Sequence, residues 1–235
     1  MVVPQYVCSV GLSAVFPSAY QSITDVVVSD YAESILPSAF SGCSGLTSVT
    51  IGNGVEWIYE SAFAGCRNLT SVTIGNDVAR IYESAFADCG RLTSVTFPDA
   101  VTNIGARAFL NCASLTNVVF SKALQRVGEE AFAGCRSLES AHFHEDVQEL
   151  GADMFAGCSN LVSVLLPSGI KHLEDRFFDG CASLPAVVLP SGLETIGAGA
   201  FRDCGLLESI TIPSGVTGLG SGAFRSPLRG TWEVP

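Results

Sequence analysis

Positive charge is scarce in this chain: 12 Lys and Arg stand against 23 Asp and Glu in 235 residues, a net charge of −11, with a pI near 4.6. The basic residues are scattered and form no strip that could track a phosphate backbone, so no nucleic-acid partner is expected. Long apolar runs are missing too, none reaching the roughly 18 to 20 residues of a membrane-spanning helix, and no membrane span is expected. The opening stretch "MVVPQYVCSVGLSAVF" has no Lys or Arg, an early Pro and no clear small-residue cleavage site, so it reads poorly as a signal peptide. Cys8 lacks the apolar-small-small approach of a lipoprotein site. The chain reads as soluble, or as a piece whose targeting and anchoring parts lie elsewhere. Charged residues make up only 15% of it, against 48% hydrophobic residues and 24 Gly, which suits a folded protein with many turns rather than a disordered tail.

What the chain does have is one phrase written repeatedly. "ESAFAGCRNLTSVTIGN" from Glu60 returns as "ESAFADCGRLTSVTFPD" from Glu83, a step of 23 residues. Phe holds that step at Phe40, Phe63, Phe86, Phe109, Phe132, Phe155, Phe178, Phe201 and Phe224, without insertion or deletion. Cys keeps the same time at Cys43, Cys66, Cys89, Cys112, Cys135, Cys158, Cys181 and Cys204, and a Leu follows each three residues later. Such strict phase means a repeat architecture.

In the unit from Leu46 to Asn68, alternation places Val49 and Ile51 on one side of a strand and Thr50 and Gly52 on the other. Gly52-Asn53, or Pro167-Ser168 and Pro190-Ser191 in later units, ends that strand with turn chemistry. Val55 and Ile58 make a second apolar beat, suited to a brief extended segment on a far wall. Ala-Phe-x-x-Cys-x-x-Leu then spaces apolar groups by three and four, as a single helical or 3₁₀ turn does. One thin coil cannot bury its own apolar edge, so units must stack at about 4.8 Å, Phe on Phe and Leu on Leu. Residues 1–22 read as an edge cap or a repeat remnant, 23–226 as nine stacked repeats, and 227–235 as a final strand in which Pro227 takes the Cys position and "WEVP" matches "ITIP" at a step of 22.

The consensus L-T-S-V-T-I-x-x-x-V-x-x-I-x-x-x-A-F-x-x-C-x-x resembles the BspA-type (Treponema pallidum type) leucine-rich repeat over about residues 23 to 235. An Asn ladder of the common leucine-rich kind is absent, its row reading Gly54, Asp77, Ala100, Ala123, Asp146, Gly169, Gly192 and Gly215. The resemblance implies a leucine-rich-repeat solenoid: a right-handed curved superhelix with parallel strands on its concave side and short helical or 3₁₀ turns. It also implies a cell-surface or secreted protein, with adhesion to host matrix proteins or other cells among the family's roles. Fold does not fix function.

Three residue sets invite a chemical reading. Neighbouring cysteines of the ladder fall within the roughly 4.4 to 6.8 Å Cα window of a disulfide, but parallel side chains leave their Cβ atoms about 4.8 Å apart, beyond the roughly 3.5 to 4.5 Å of a relaxed bridge. Buried free thiols packing as small hydrophobes are expected instead, with Cys8 the one reactive thiol. His142 and His144 stand two apart beside Glu145 and Asp146, but the adjacent rungs bring Val119, Ser121, Leu165 and Pro167, so zinc lacks a third ligand there; solvated surface histidines are expected, no metal and no cofactor. His172 has no evident partner, "GLGSGAF" from Gly218 is a repeat beat rather than a phosphate loop, and Asn68-Leu69-Thr70 is a lone glycosylation sequon. No His and acid stand apart from the repeat as a catalytic triad requires, so no enzyme is expected.

The concave rows remain. With the rungs counted from Thr47, the first four carry a Thr/Ser carpet, and rungs five to seven break it with Glu139, His142, Val162, Leu165, Pro185 and Val188, with His144 just beyond the strand. This mixed apolar and ionisable patch reads either as a ligand-binding face or as drift on an unused one. Two roles follow: a non-enzymatic adhesion module that recognises a protein, such as a host matrix or cell-surface protein, or a glycan; or a structural spacer with no ligand of its own.

Overall fold

A computed structural model describes residues 2–3, 20–225 and 232–233 of the chain. The repeat becomes a coil of stacked 23-residue turns, each with two strand-bearing walls and a third wall of turns. Front strands run from Asp25–Val28 and Ser48–Thr50 through Ser71–Thr73, Ser94–Thr96, Asn117–Val119, Ser140–His142 and Ser163–Leu165 to Ile210–Thr211. Two-residue strands on the second wall run from Ser34–Ile35 and Trp57–Ile58 to Gly218–Leu219, one per turn. All pairing is parallel, and Val49 faces Val72 just as Ile58 faces Ile81, so the register equals the repeat. Ile210 instead faces Trp232, a step of 22. Cys8 and Pro227 lie outside the described residues.

The third wall is hydrogen-bonded as well. Phe40 N donates to Ala62 O at 2.8 Å, Gly42 N to Ala64 O at 2.8 Å, and Phe63 N to Ala85 O at 2.7 Å. Its turns close through bonds three residues back, such as Cys43 N to Phe40 O and Leu46 N to Cys43 O. They do not merge into a helix, because two residues per turn sit in the left-handed region. One row runs through Ser38, Ser61, Ser84, Arg107, Glu130, Asp153 and Arg176, and the other has Asp or Asn at Asp88, Asn111 and Asp203 and Gly elsewhere, as at Gly42. Gly, Asn and Asp tolerate that geometry. Ser, Arg and Glu do not favour it, and the axial hydrogen bonds on both sides hold them there.

The core is a set of ladders. From Phe40 to Phe109 the rings stack with centroids 5.0 to 5.2 Å apart. The spacing widens to 6.1 Å between Phe132 and Phe155 and 5.9 Å between Phe155 and Phe178. The inner strand row carries Phe97, Phe120 and Phe143, and Met154 and Phe177 replace the small Ala of other turns; Phe97, Phe120 and Phe177 meet the ladder edge-on. Bulk inside thus begins within the Thr/Ser turns, at Phe97, and continues behind the turns whose outer face departs from that pattern.

The eight ladder cysteines are free and buried. Each from Cys66 to Cys204 donates its S–H to the Phe carbonyl of the preceding turn, at 3.1 to 3.3 Å. They are hydrogen-bonded spacers as well as small hydrophobes. Burial pushes Cys43 up to about 11 and Cys204 to about 12, and the inner thiols higher still.

Two outcomes follow from this packing. Phe132 is fully buried, with rings on both sides, so Phe132→Ala should cost about 3 to 5 kcal/mol by opening a cavity between turns. Urea unfolding measures this, and a cost below about 1 kcal/mol would mean the row is not stacked inside. Since the folded thiols hold their protons above the ordinary value of 9.0, their stabilisation is complete below about pH 9 and lost as pH rises toward 11 and 12. The urea midpoint should therefore fall between about pH 8 and pH 10.5, and the ladder thiols should resist a thiol reagent at pH 8 until the chain unfolds. Rapid modification of the folded chain at more than one thiol would contradict the burial.

Candidate functional site

The front face divides into two regions, and the division begins in the backbone. Thr47 N donates to Thr24 O at 2.7 Å, Thr70 N to Thr47 O at 2.9 Å and Thr116 N to Thr93 O at 2.9 Å. The same carbonyls accept the Thr hydroxyls: Oγ1 of Thr47, Thr70, Thr93 and Thr116 reaches the preceding turn at 3.0 to 3.2 Å. The hydroxyl row is therefore committed to the fold and leaves little for a ligand. Spacing alone did not show this, since Thr in an outward row also suits a bare solvated strand.

Beyond Thr116 the hydroxyls stop. Glu139 N and Val162 N continue the backbone ladder, but Pro185 has no N–H to give to Val162 O. Segment 186–188 forms no strand and pairs with neither neighbour, whereas the other gaps in the front wall, between Ser71–Thr73 and Ser94–Thr96 and between Asn117–Val119 and Ser140–His142, lie between formed strands. A groove of about 410 Å³ opens beside this segment, lined by Val188, Leu189, Ser209, Thr211 and Pro213 among others. The Pro that interrupts the ladder lies within the apolar cluster.

The seven residues singled out from the sequence are all exposed. His142 faces Leu165 in register, and Val188 continues that row. Leu165 is 54% and Val188 83% exposed, and Val162 and Val119 add to them. Val119 extends the patch by one turn. Elsewhere in the row only Val27, at its far end, is an exposed large apolar residue. The row through Glu139, Val162, Pro185 and Glu208 runs alongside, with an acid at each end.

His142 and His172 each meet a hydroxyl on the next turn. His142 Nε2 lies 3.0 Å from Ser163 Oγ, and His172, whose partner was not evident from sequence, has Nδ1 2.8 Å from Thr195 Oγ1 on the next turn. Among the described residues no group of three or more His, Cys, Asp or Glu is placed to hold a metal ion. Glu145 bonds the Ser168 hydroxyl and, at 2.9 Å, the Ser168 N–H, which holds its carboxyl below the ordinary value. The sequon Asn68 is engaged at both ends of its amide, donating to Ser44 O at 2.7 Å and accepting from Arg91 at 3.2 Å.

A second depression, about 320 Å³, is lined by Arg176, Arg202 and Arg225 together with Asp175, Gly199 and Gly222. Arg176 is held in a two-point pair with Asp153, and Arg202 with Asp179. Those guanidinium groups tie successive turns together and are largely neutralised.

No helix among the described residues is long and apolar enough to cross a membrane. The sequence profile of the BspA type leucine rich repeat region matches residues 13–138 and 102–228, in six copies. No curated protein matches the chain. Among solved structures, the chain is similar to a leucine rich cell surface protein from Faecalibacterium prausnitzii A2-165, at 23% identity and a TM-score of 0.52, over 91% of this chain and 80% of that one. It is similar to the T. pallidum leucine rich repeat protein, at 25% identity and a TM-score of 0.53, over 88% and 78% respectively. The pneumococcal vaccine antigen PcpA shares the fold at 20% identity and a TM-score of 0.59, over 86% of this chain and 53% of that one. With in-phase ladders along the stack and a family profile spanning most of its length, the chain belongs to the BspA-type leucine-rich-repeat family.

Proposed function

We propose that this chain is a non-enzymatic binding module of a cell-surface or secreted protein, and that it receives a protein partner on its strand-bearing face over rungs five to seven. The observation that carries the reading is the grouping of Val162, Leu165 and Val188 as exposed apolar side chains on two successive turns of one face, with Val119 two turns earlier across His142. Apolar surface gathered in this way is a common mark of an interaction site. His142, His144, Glu139 and Pro185 complete the patch, and the groove beside Val188 gives it relief. A glycan suits this region less well, because sugar faces stack on exposed aromatic rings, and the aromatic residues of these turns, Phe143, Phe155, Phe177, Phe178 and Phe201, are buried. A placement at the cell surface draws support from the surface protein of F. prausnitzii that shares the fold.

The spacer reading has one observation of its own. In the first four rungs one Thr hydroxyl per turn bonds the backbone of the preceding turn, so that row of the face is built for rigidity. A stiff rod that holds another domain away from a surface needs nothing more.

A binding screen of the purified chain against immobilised extracellular-matrix proteins and mucosal glycans separates the two. The expected result is saturable binding to a protein, weakened about tenfold or more by Leu165→Asp with an unchanged circular-dichroism spectrum, as for loss of one buried anchor. Binding indifferent to Leu165→Asp would move the site elsewhere, and silence across the panel would favour the spacer.

A further inference from the structure

Resting on the reading of the apolar patch as a protein-binding face, we infer that its partner is an extended segment carrying an apolar side chain between two Lys or Arg residues. The charge on the face points there. Across the outward rows that begin at Thr47, Ser48, Thr50 and Gly52, eight turns long, there is no Lys or Arg. The acids on these rows are Glu139 and Glu208, both exposed, one at each end of the apolar pair Val162 and Pro185. Lys122 stands outside them, in the turn row it shares with Glu145. The protein as a whole carries a net charge of −11, so a cationic partner is drawn in at long range and an acidic one is repelled.

Register sets the spacing. Glu139 and Glu208 are three turns apart, about 14 Å at the usual strand separation of about 4.8 Å. An extended chain lying along the stack covers that span in about four residues, at about 3.4 Å each. Its side chains at the first, third and fifth positions then share one face. The pattern is Lys/Arg-x-apolar-x-Lys/Arg: the central side chain sits over Val162 and Leu165, and the two cations reach the flanking carboxylates. Val188 and the groove beside it extend the apolar contact.

The test selects a display library of random nine-residue peptides on the full chain, with the Leu165→Ser variant as counter-selection. The expected result is enrichment of Lys or Arg four residues apart around a central aliphatic residue. A synthetic peptide with a Lys-Thr-Leu-Thr-Lys core should then bind the wild-type chain and lose about threefold to tenfold in Glu139→Gln/Glu208→Gln, the effect of two exposed ion pairs. Its affinity should also fall with added salt, and a Glu-Thr-Leu-Thr-Glu peptide should not bind. No enrichment, enrichment without the paired cations, or binding unchanged in both variants would overturn the inference. If a matrix protein binds through Leu165 but is indifferent to Glu139→Gln/Glu208→Gln and to salt, the cationic partner is wrong while the binding-face reading stands. If cationic peptides bind equally well to Leu165→Ser, they are reading the diffuse acidity of the molecule and the inference falls.

Discussion

Over most of the stack neighbouring turns exchange backbone hydrogen bonds on three walls, with paired strand residues 23 apart. A 23-residue unit has no interior of its own, so the bonds between turns and the side chains they align carry the fold. One residue too many in a turn would move Phe, Cys and Leu out of line with the turn below. The unbroken spacing from Phe40 to Phe224 records that constraint. So do the left-handed residues, which close the third wall in the same two places per turn whatever the side chain.

The same constraint divides the surface. Positions that the stack uses are fixed in type, including outward ones: the Thr hydroxyls cap carbonyls of the turn before, and Asp153 and Asp179 tie to Arg176 and Arg202 one turn on. Positions that it does not use are free to vary. On the front face they vary together over rungs five to seven, where the hydroxyls end, Pro185 leaves the ladder open, Phe143 and Phe177 add bulk to the core behind, and Leu165 and Val188 stand in solvent. A partner docking here would meet apolar surface without having to strip bound hydroxyls from the backbone.

The repeat, its two strands and the inward rows of Phe, Cys and Leu could be read from sequence because strict phase turns one observation into eight or nine. The outward patch was legible for the same reason, as a departure from a regular row. Features that depend on contact geometry were not. Cys66 through Cys204 donate to carbonyls, a role that a small hydrophobe in the same place would hide. His172 meets Thr195 only because the second wall pairs in register. Left-handed geometry at Ser61, Arg107 and Glu130 runs against their local preference and is imposed by bonds from neighbouring turns. Pro185 could be read as a strand breaker, but the groove beside it depends on which neighbours remain paired.

The dependence of the fold on register is tested most directly by removing one interior repeat, residues 71–93, and comparing that variant with one lacking residues 71–92. The 23-residue deletion preserves every ladder on both sides of the cut and should unfold cooperatively in urea at a modestly lower midpoint, with the thiols still protected. The 22-residue deletion shifts Phe40 and Phe63 against all later rungs and should lose cooperativity or expose thiols in the native state. Equal stability and equal thiol protection in the two would show that register between turns does not hold this fold together.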